Sequence, residues 1–266
     1  ILEENLMSYV GRSEGNILSH CWFYESARRS ILNEELGEIC GGITVLTLTA
    51  FMVESYLNYC CESIFDIQTR VNEVLDDCGN EVFETVDKLP KELGFEVRVA
   101  IGYGFKGQFD ELVSNLSEKL HGYKKAKFEK LLGNESSNKV IFNNLDDELR
   151  FSPIAKFDAI SRVIYADEAL RLEHFEIVKN LFKSRNLLAH GKSEFCTQEF
   201  RISSDKPLEP KHIPVLKASW QEQCSLSNAK QFHDLCCGII RYISKQAFDN
   251  SRPFSMPCQL TAVTMG

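Results

Sequence analysis

No Gly-rich phosphate loop, no C-x-x-C pair and no Cys/His set with zinc spacing occurs in this chain. Gly102-Tyr-Gly-Phe-Lys-Gly107 has glycines but lacks a preceding robust strand and a Lys-Ser/Thr ending. These absences argue against a P-loop nucleotidase and a structural zinc module. Basic charge is also in short supply. The 30 Lys and Arg face 38 Asp and Glu, for a net charge of -8. A general nucleic-acid coat protein is normally basic, so that class is disfavoured, although a small basic cleft on an acidic body is not. A long hydrophobic run is missing as well. The most apolar stretch, Ile43 to Phe51, is too short to span a bilayer and is followed by Glu54, so it reads as a buried helix with no membrane role. No secretory leader and no repeat period are visible.

Ten cysteines are present, but their spacing does not suit a disulfide framework. Cys60-Cys61 and Cys236-Cys237 are adjacent pairs inside predicted helices. Reduced, buried thiols in the cytosol are the expected state.

Helical periodicity dominates what remains. Helices are expected over Trp22 to Leu36 and, after a break at Gly41-Gly42, over Ile43 to Leu75 as one helix or two in tandem. Leu46, Ala50, Val53, Leu57, Cys60 and Ile64 give the latter its three-to-four apolar spacing, with Gly79-Asn80 as its stop. Val97 to Ile101 reads as a short strand or a helical turn. Phe109 to Leu120 and Tyr123 to Leu132 follow as helices. Gly133 to Asp147 is polar and reads as a linker. Pro153 suits the first turn of a helix to about Tyr165, and Asp167 suits the cap of Glu168 to Ala189. Ser193 to Ser219 is irregular, with Pro207, Pro210 and Pro214. Ser225 or Ser227 caps a last helix to about Phe248, and the tail from Pro253 is expected to be loose. The expected fold is an all-α helical bundle with a long irregular connection before its last helix. The expected organisation is an N-terminal helical extension (1–42), a helical domain (43–250) with a possible insert (80–150), and the tail (251–266).

The residues that carry chemistry lie at the end of one predicted helix: Arg185-Asn186-Leu187-Leu188-Ala189-His190-Gly191. Arg185 is a permanent cation whose planar fork matches phosphate oxygens. His190 can give or take a proton near neutral pH. Asn186 can orient a partner but cannot titrate. Such a set can cleave RNA through attack of the 2′-OH on the adjacent phosphate. The arginine would stabilise charge on the phosphorane and the histidine would move protons, with no cofactor and no metal. Five residues of ideal helix turn about 500°, or about 140° beyond a full turn, so Arg185 and His190 do not share a face. They can converge in a loosened last turn or across a two-fold axis. The bland alternative is a helix C-terminus with a cation and a histidine near the negative dipole end, closed by Gly191.

The Arg-Asn-three residues-His pattern resembles the signature of the HEPN superfamily. Thr49-Ala-Phe-Met-Val-Glu-Ser-Tyr-Leu-Asn58 resembles an early bundle helix of such proteins, where an acidic residue often sits near the motif. The resemblance covers about Ile43 to Asn250, with Arg185, Asn186 and His190 as its motif-specific residues. It implies a helical homodimer acting as a metal-independent endoribonuclease, often a toxin or antiviral effector, with RNA as substrate and an antitoxin or regulatory protein as possible partner. Many HEPN proteins have lost catalysis and act as RNA-binding or interaction modules. A tyrosine two residues after the histidine marks one toxin branch; Lys192 stands there instead.

Lys192 can add an RNA phosphate contact or be a solvated lysine. Glu54 and Asn58, one turn apart, can face the cleft in support or be an exposed pair. His20, His121, His174, His212 and His233 have no ligand spacing, and His174 reads as a surface residue. Trp22 and Trp220 read as core or interface. Asp146-Asp147-Glu148 reads as a charge cluster rather than a metal site. Three function classes therefore stay open: an endoribonuclease, a silent HEPN module, and a helical regulatory or structural domain with a coincidental motif.

Overall fold

The computed structural model describes residues 11–77, 105–133, 142–190, 195–197, 199, 216, 218–255 and 258–265. The fold is all-α, with a short antiparallel ribbon joining its two ends. In chain order the elements are β1 (Gly11–Ile17), α1 (Ser19–Leu32), a 3-10 turn (Glu34–Leu36), α2 (Gly37–Asp77), α3 (Phe105–Glu118), α4 (Tyr123–Gly133), α5 (Phe142–Leu149), α6 (Pro153–Ile164), α7 (Glu168–His190), α8 (Ser219–Gln223), α9 (Leu226–Phe248) and β2 (Cys258–Met265).

Helix α2 is the axis of the bundle. Val45-Leu46, Thr49-Ala50, Met52-Val53, Tyr56-Leu57 and Cys60-Cys61 are buried pairs, one pair every turn, so its buried stripe is wide enough to be packed from several sides. Each fully buried Leu or Ile contributes roughly 1.5–3 kcal/mol. Helix α1 runs antiparallel to α2: Phe23 packs on Phe51, and His20 on Tyr56 and Tyr59. Helix α9 runs parallel to it. The backbone at Cys224 meets Gly42, His233 meets Thr49, and Phe248 meets Tyr59. The chain between these two parallel helices includes α3 to α7 and the connection expected between Ser193 and Ser219. Most of that connection lies outside the described residues.

Gly41-Gly42 does not break the chain. Both residues lie inside α2, which begins at Gly37 and crosses the expected 42/43 boundary. A Cβ on Gly42 would fall 1.9 Å from the Cys224 carbonyl oxygen, so glycine is there for close backbone approach. The apolar stretch is longer than Ile43 to Phe51. Glu34–Phe65 is long and apolar enough to cross a membrane by length and composition. One face of this stretch is packed into the protein core.

Helices α3 to α5 share that core through Leu112, Leu116, Phe128, Phe142 and Leu145. The expected linker is helical from Phe142 onward. The Gly79-Asn80 stop, the Val97 to Ile101 segment and residues 134–141 lie outside the described residues. The caps fall where expected. Ser152 accepts from Ala155 N–H, Asp167 from Ala169 and Leu170, and Ser225 from Asn228. Asp158 ties three helices together. It accepts from Arg171 at 3.0 Å, pairs with Arg162 at 3.3 Å, and also pairs with Lys119. The C-terminal tail is not loose. The Pro253 carbonyl accepts from buried His20 Nε2 at 3.1 Å, and Cys258–Met265 pairs with Gly11–Ile17.

Candidate functional site

Arg185 and His190 sit on the last turns of α7, which stays helical through His190. Without a loosened last turn the two residues keep the separation of about 140° that helix geometry sets. Arg185 faces inward. Its Nη2 donates to Glu54 Oε2 of α2 at 3.1 Å, and its Nη1 to Asn186 Oδ1 at 3.0 Å. The guanidinium carbon lies 5.8 Å from the centre of the Phe182 ring, one turn earlier on the same helix. That contact follows from the three-residue spacing and was readable in advance. Arg185 Nε is buried with no hydrogen-bond partner among the described residues.

The Arg185 and Glu54 side chains are each about 30 % exposed (29 % and 32 %). At that exposure an ion pair contributes at most about 1 kcal/mol to stability. Its main consequence is positional, because one carboxylate fixes one edge of the fork. Two of the five guanidinium N–H groups are engaged in these two bonds, so donors remain for a ligand.

Asn58, one turn beyond Glu54, is occupied otherwise. It accepts from Lys156 Nζ at 2.7 Å, and the same ammonium pairs with Asp146 Oδ2 at 2.6 Å. Lys156 is only 2 % exposed, so this network fastens α2, α5 and α6 and does not reach the motif. No sequence signal marks Lys156 as the partner of a residue 98 positions away. Asn186 and His190 are exposed. Lys192 lies outside the described residues. The structure thus brings Arg185, Asn186 and Glu54 together, and leaves Asn58 on another network.

Several other reactive groups are buried or occupied. Burial lowers the pKa of His20 and of His233, which disfavours their charged forms. His174 is half-buried, not a surface residue. Its Nδ1 lies 2.7 Å from the Tyr165 hydroxyl. Burial pushes the Cys60, Cys61 and Cys236 thiols up, and Cys237 up to about 12, so none of the four is a poised nucleophile. Asp146 pairs with Lys156, and Glu148 with Lys127 at 2.7 Å. Among the described residues no three His, Cys, Asp or Glu side chains gather as metal ligands. Trp22 is 57 % exposed and Trp220 half-buried. Set against protein-family models, curated proteins and solved structures, this chain matches none.

Proposed function

We propose that this protein is a metal-independent endoribonuclease that acts as a homodimer, in the manner the HEPN resemblance implies. The observation that carries this reading is the state of Arg185. Its fork is held in place by Glu54 and Asn186, has donors to spare, and sits five residues from an exposed histidine. Arg185 suits the charge that builds on the phosphorane, and His190 suits transfer of a proton from the 2′-OH or to the leaving 5′-oxygen. One histidine does not serve both transfers at once. Two copies related by a two-fold axis near the end of α7 would supply both, and would also bring together groups that diverge within one chain.

A toxin or antiviral setting in the cytosol, with an antitoxin or regulatory protein as partner, fits this chemistry. The divergence of Arg185 and His190 within one chain also favours a second reading, an RNA-binding module that does not cut.

Incubation of the purified protein with RNA in EDTA tests the first reading. Cleavage should leave 2′,3′-cyclic phosphate and 5′-OH ends, spare DNA, and stop at a 2′-O-methyl nucleotide. Cleavage that requires magnesium and leaves a 5′-phosphate would refute the chemistry. RNA binding without cleavage would favour the second reading.

A further inference from the structure

The exposed face of α7 carries a stripe that Arg185 does not share. Lys179, Lys183, Asn186 and His190 follow at intervals of four, three and four residues, so they project from one side of the helix. All four are exposed. The two lysines differ in one respect. Lys179 Nζ is held by both carboxylate oxygens of Glu176, at 2.8 and 3.1 Å. Lys183 has no ion-pair or hydrogen-bond partner among the described residues, where the next acid along its face, Glu176, is taken by Lys179. On a chain of net charge -8, this leaves an uncompensated cation on the same face as His190. Seven residues separate the two, a rise of about 10.5 Å along the helix axis.

We propose that Lys183 is a substrate-positioning residue that contacts an RNA phosphate, with the strand running lengthwise along this face of α7. The proposal rests on reading His190 as a group that acts on RNA. A phosphate held by Lys183 would lie about one or two nucleotides from the one His190 acts on. An ammonium on a flexible stem suits this task, because it follows a phosphate without demanding one geometry. Its contribution is electrostatic and sequence-independent, and so depends on salt. Lys179, already neutralised by Glu176, should contribute little. The two lysines make an internal control on one helix.

The test uses the full chain in EDTA with a fully 2′-O-methylated RNA oligonucleotide, which cannot be cut. Binding is followed by fluorescence anisotropy across a salt series, and cleavage is measured on the unmodified oligonucleotide. Lys183→Ala should raise Kd and KM about 5- to 10-fold, leave kcat unchanged, and lower the salt slope by about 0.7. Lys183→Arg should restore binding, and Lys179→Ala should stay within about twofold of wild type. Wild-type Kd and slope in both Lys183→Ala and Lys183→Glu would overturn the proposal. So would a loss of binding that tracks dissociation of the oligomer by light scattering, since the lysine would then serve a protein contact. A wild-type protein that binds through Lys183 and cuts nothing would remove the cleavage reading while leaving the RNA path. One that neither binds nor cuts would remove both.

Discussion

Arg185 and Glu54 meet across 131 residues of sequence, guanidinium to carboxylate at 3.1 Å, and this contact joins the motif-bearing helix to the central one. Glu54 therefore acts on the motif through Arg185. Glu54→Gln keeps the shape and removes the charge. It should lower kcat on the order of 10- to 100-fold, because a fork freed on one edge samples unproductive orientations. Adding it to Arg185→Ala should cost nothing further, as expected for residues that act as a unit. Full additivity of the two losses in a double-mutant cycle would show that Glu54 works independently of Arg185.

His190→Ala should abolish cleavage while the thermal transition stays in place, since the side chain is exposed. Arg185→Lys should also lose most activity, because lysine keeps the charge but not the two-pronged geometry. Wild-type rates in His190→Ala would remove the histidine from the mechanism.

Gly41 and Gly42 are neighbours with opposite expected responses. A Cβ at Gly42 meets backbone, the Cys224 carbonyl oxygen, at 1.9 Å, so Gly42→Ala must push α2 away from the start of α9. A loss of about 1–3 kcal/mol is expected, the usual cost of overpacking. A Cβ at Gly41 makes only ordinary contact, at 3.5 Å, with the Leu226 side chain. Gly41→Ala should therefore gain up to about 1 kcal/mol from helix propensity. Paired thermal melts check both, and equal melting temperatures for the two variants would contradict the close approach.

Acid should weaken the α3–α6–α7 junction. Burial alone would raise the Asp158 carboxyl, but hydrogen bonds from Lys119 and Arg162 outweigh it and hold the group below its ordinary value of 3.8. A carboxylate depressed in the folded state adds stability that is fully present above its unfolded pKa. That stability is lost as pH falls through the lower, folded value. Asp158→Asn should therefore be about 1–3 kcal/mol less stable than wild type at pH 7, with the gap closing below about pH 4. A gap that stays constant down to pH 2 in denaturant titrations would show that Asp158 contributes through shape and not charge.

Much of the helical architecture was legible in the order of residues, because its signals are local. The stripe from Leu46 to Ile64 repeats with the helical period, and Ser152, Asp167 and Ser225 each satisfy backbone N–H groups two or three residues away. That Arg185, Asn186 and His190 share the end of one helix was legible for the same reason, since all three lie within one and a half turns. Gly41-Gly42 misled because a glycine pair looks the same whether it ends a helix or admits another backbone. Only the parallel course of α9 decides between the two. Likewise, Glu54 and Asn58 are one turn apart, and no local signal says which cation each will meet. The tertiary structure does, by setting Arg185 against the first and Lys156 against the second. Local capping and periodicity are properties of neighbouring residues and are written in their order. Which of two polar side chains meets which cation depends on how helices far apart in sequence are packed, and that is settled by burial of the whole core.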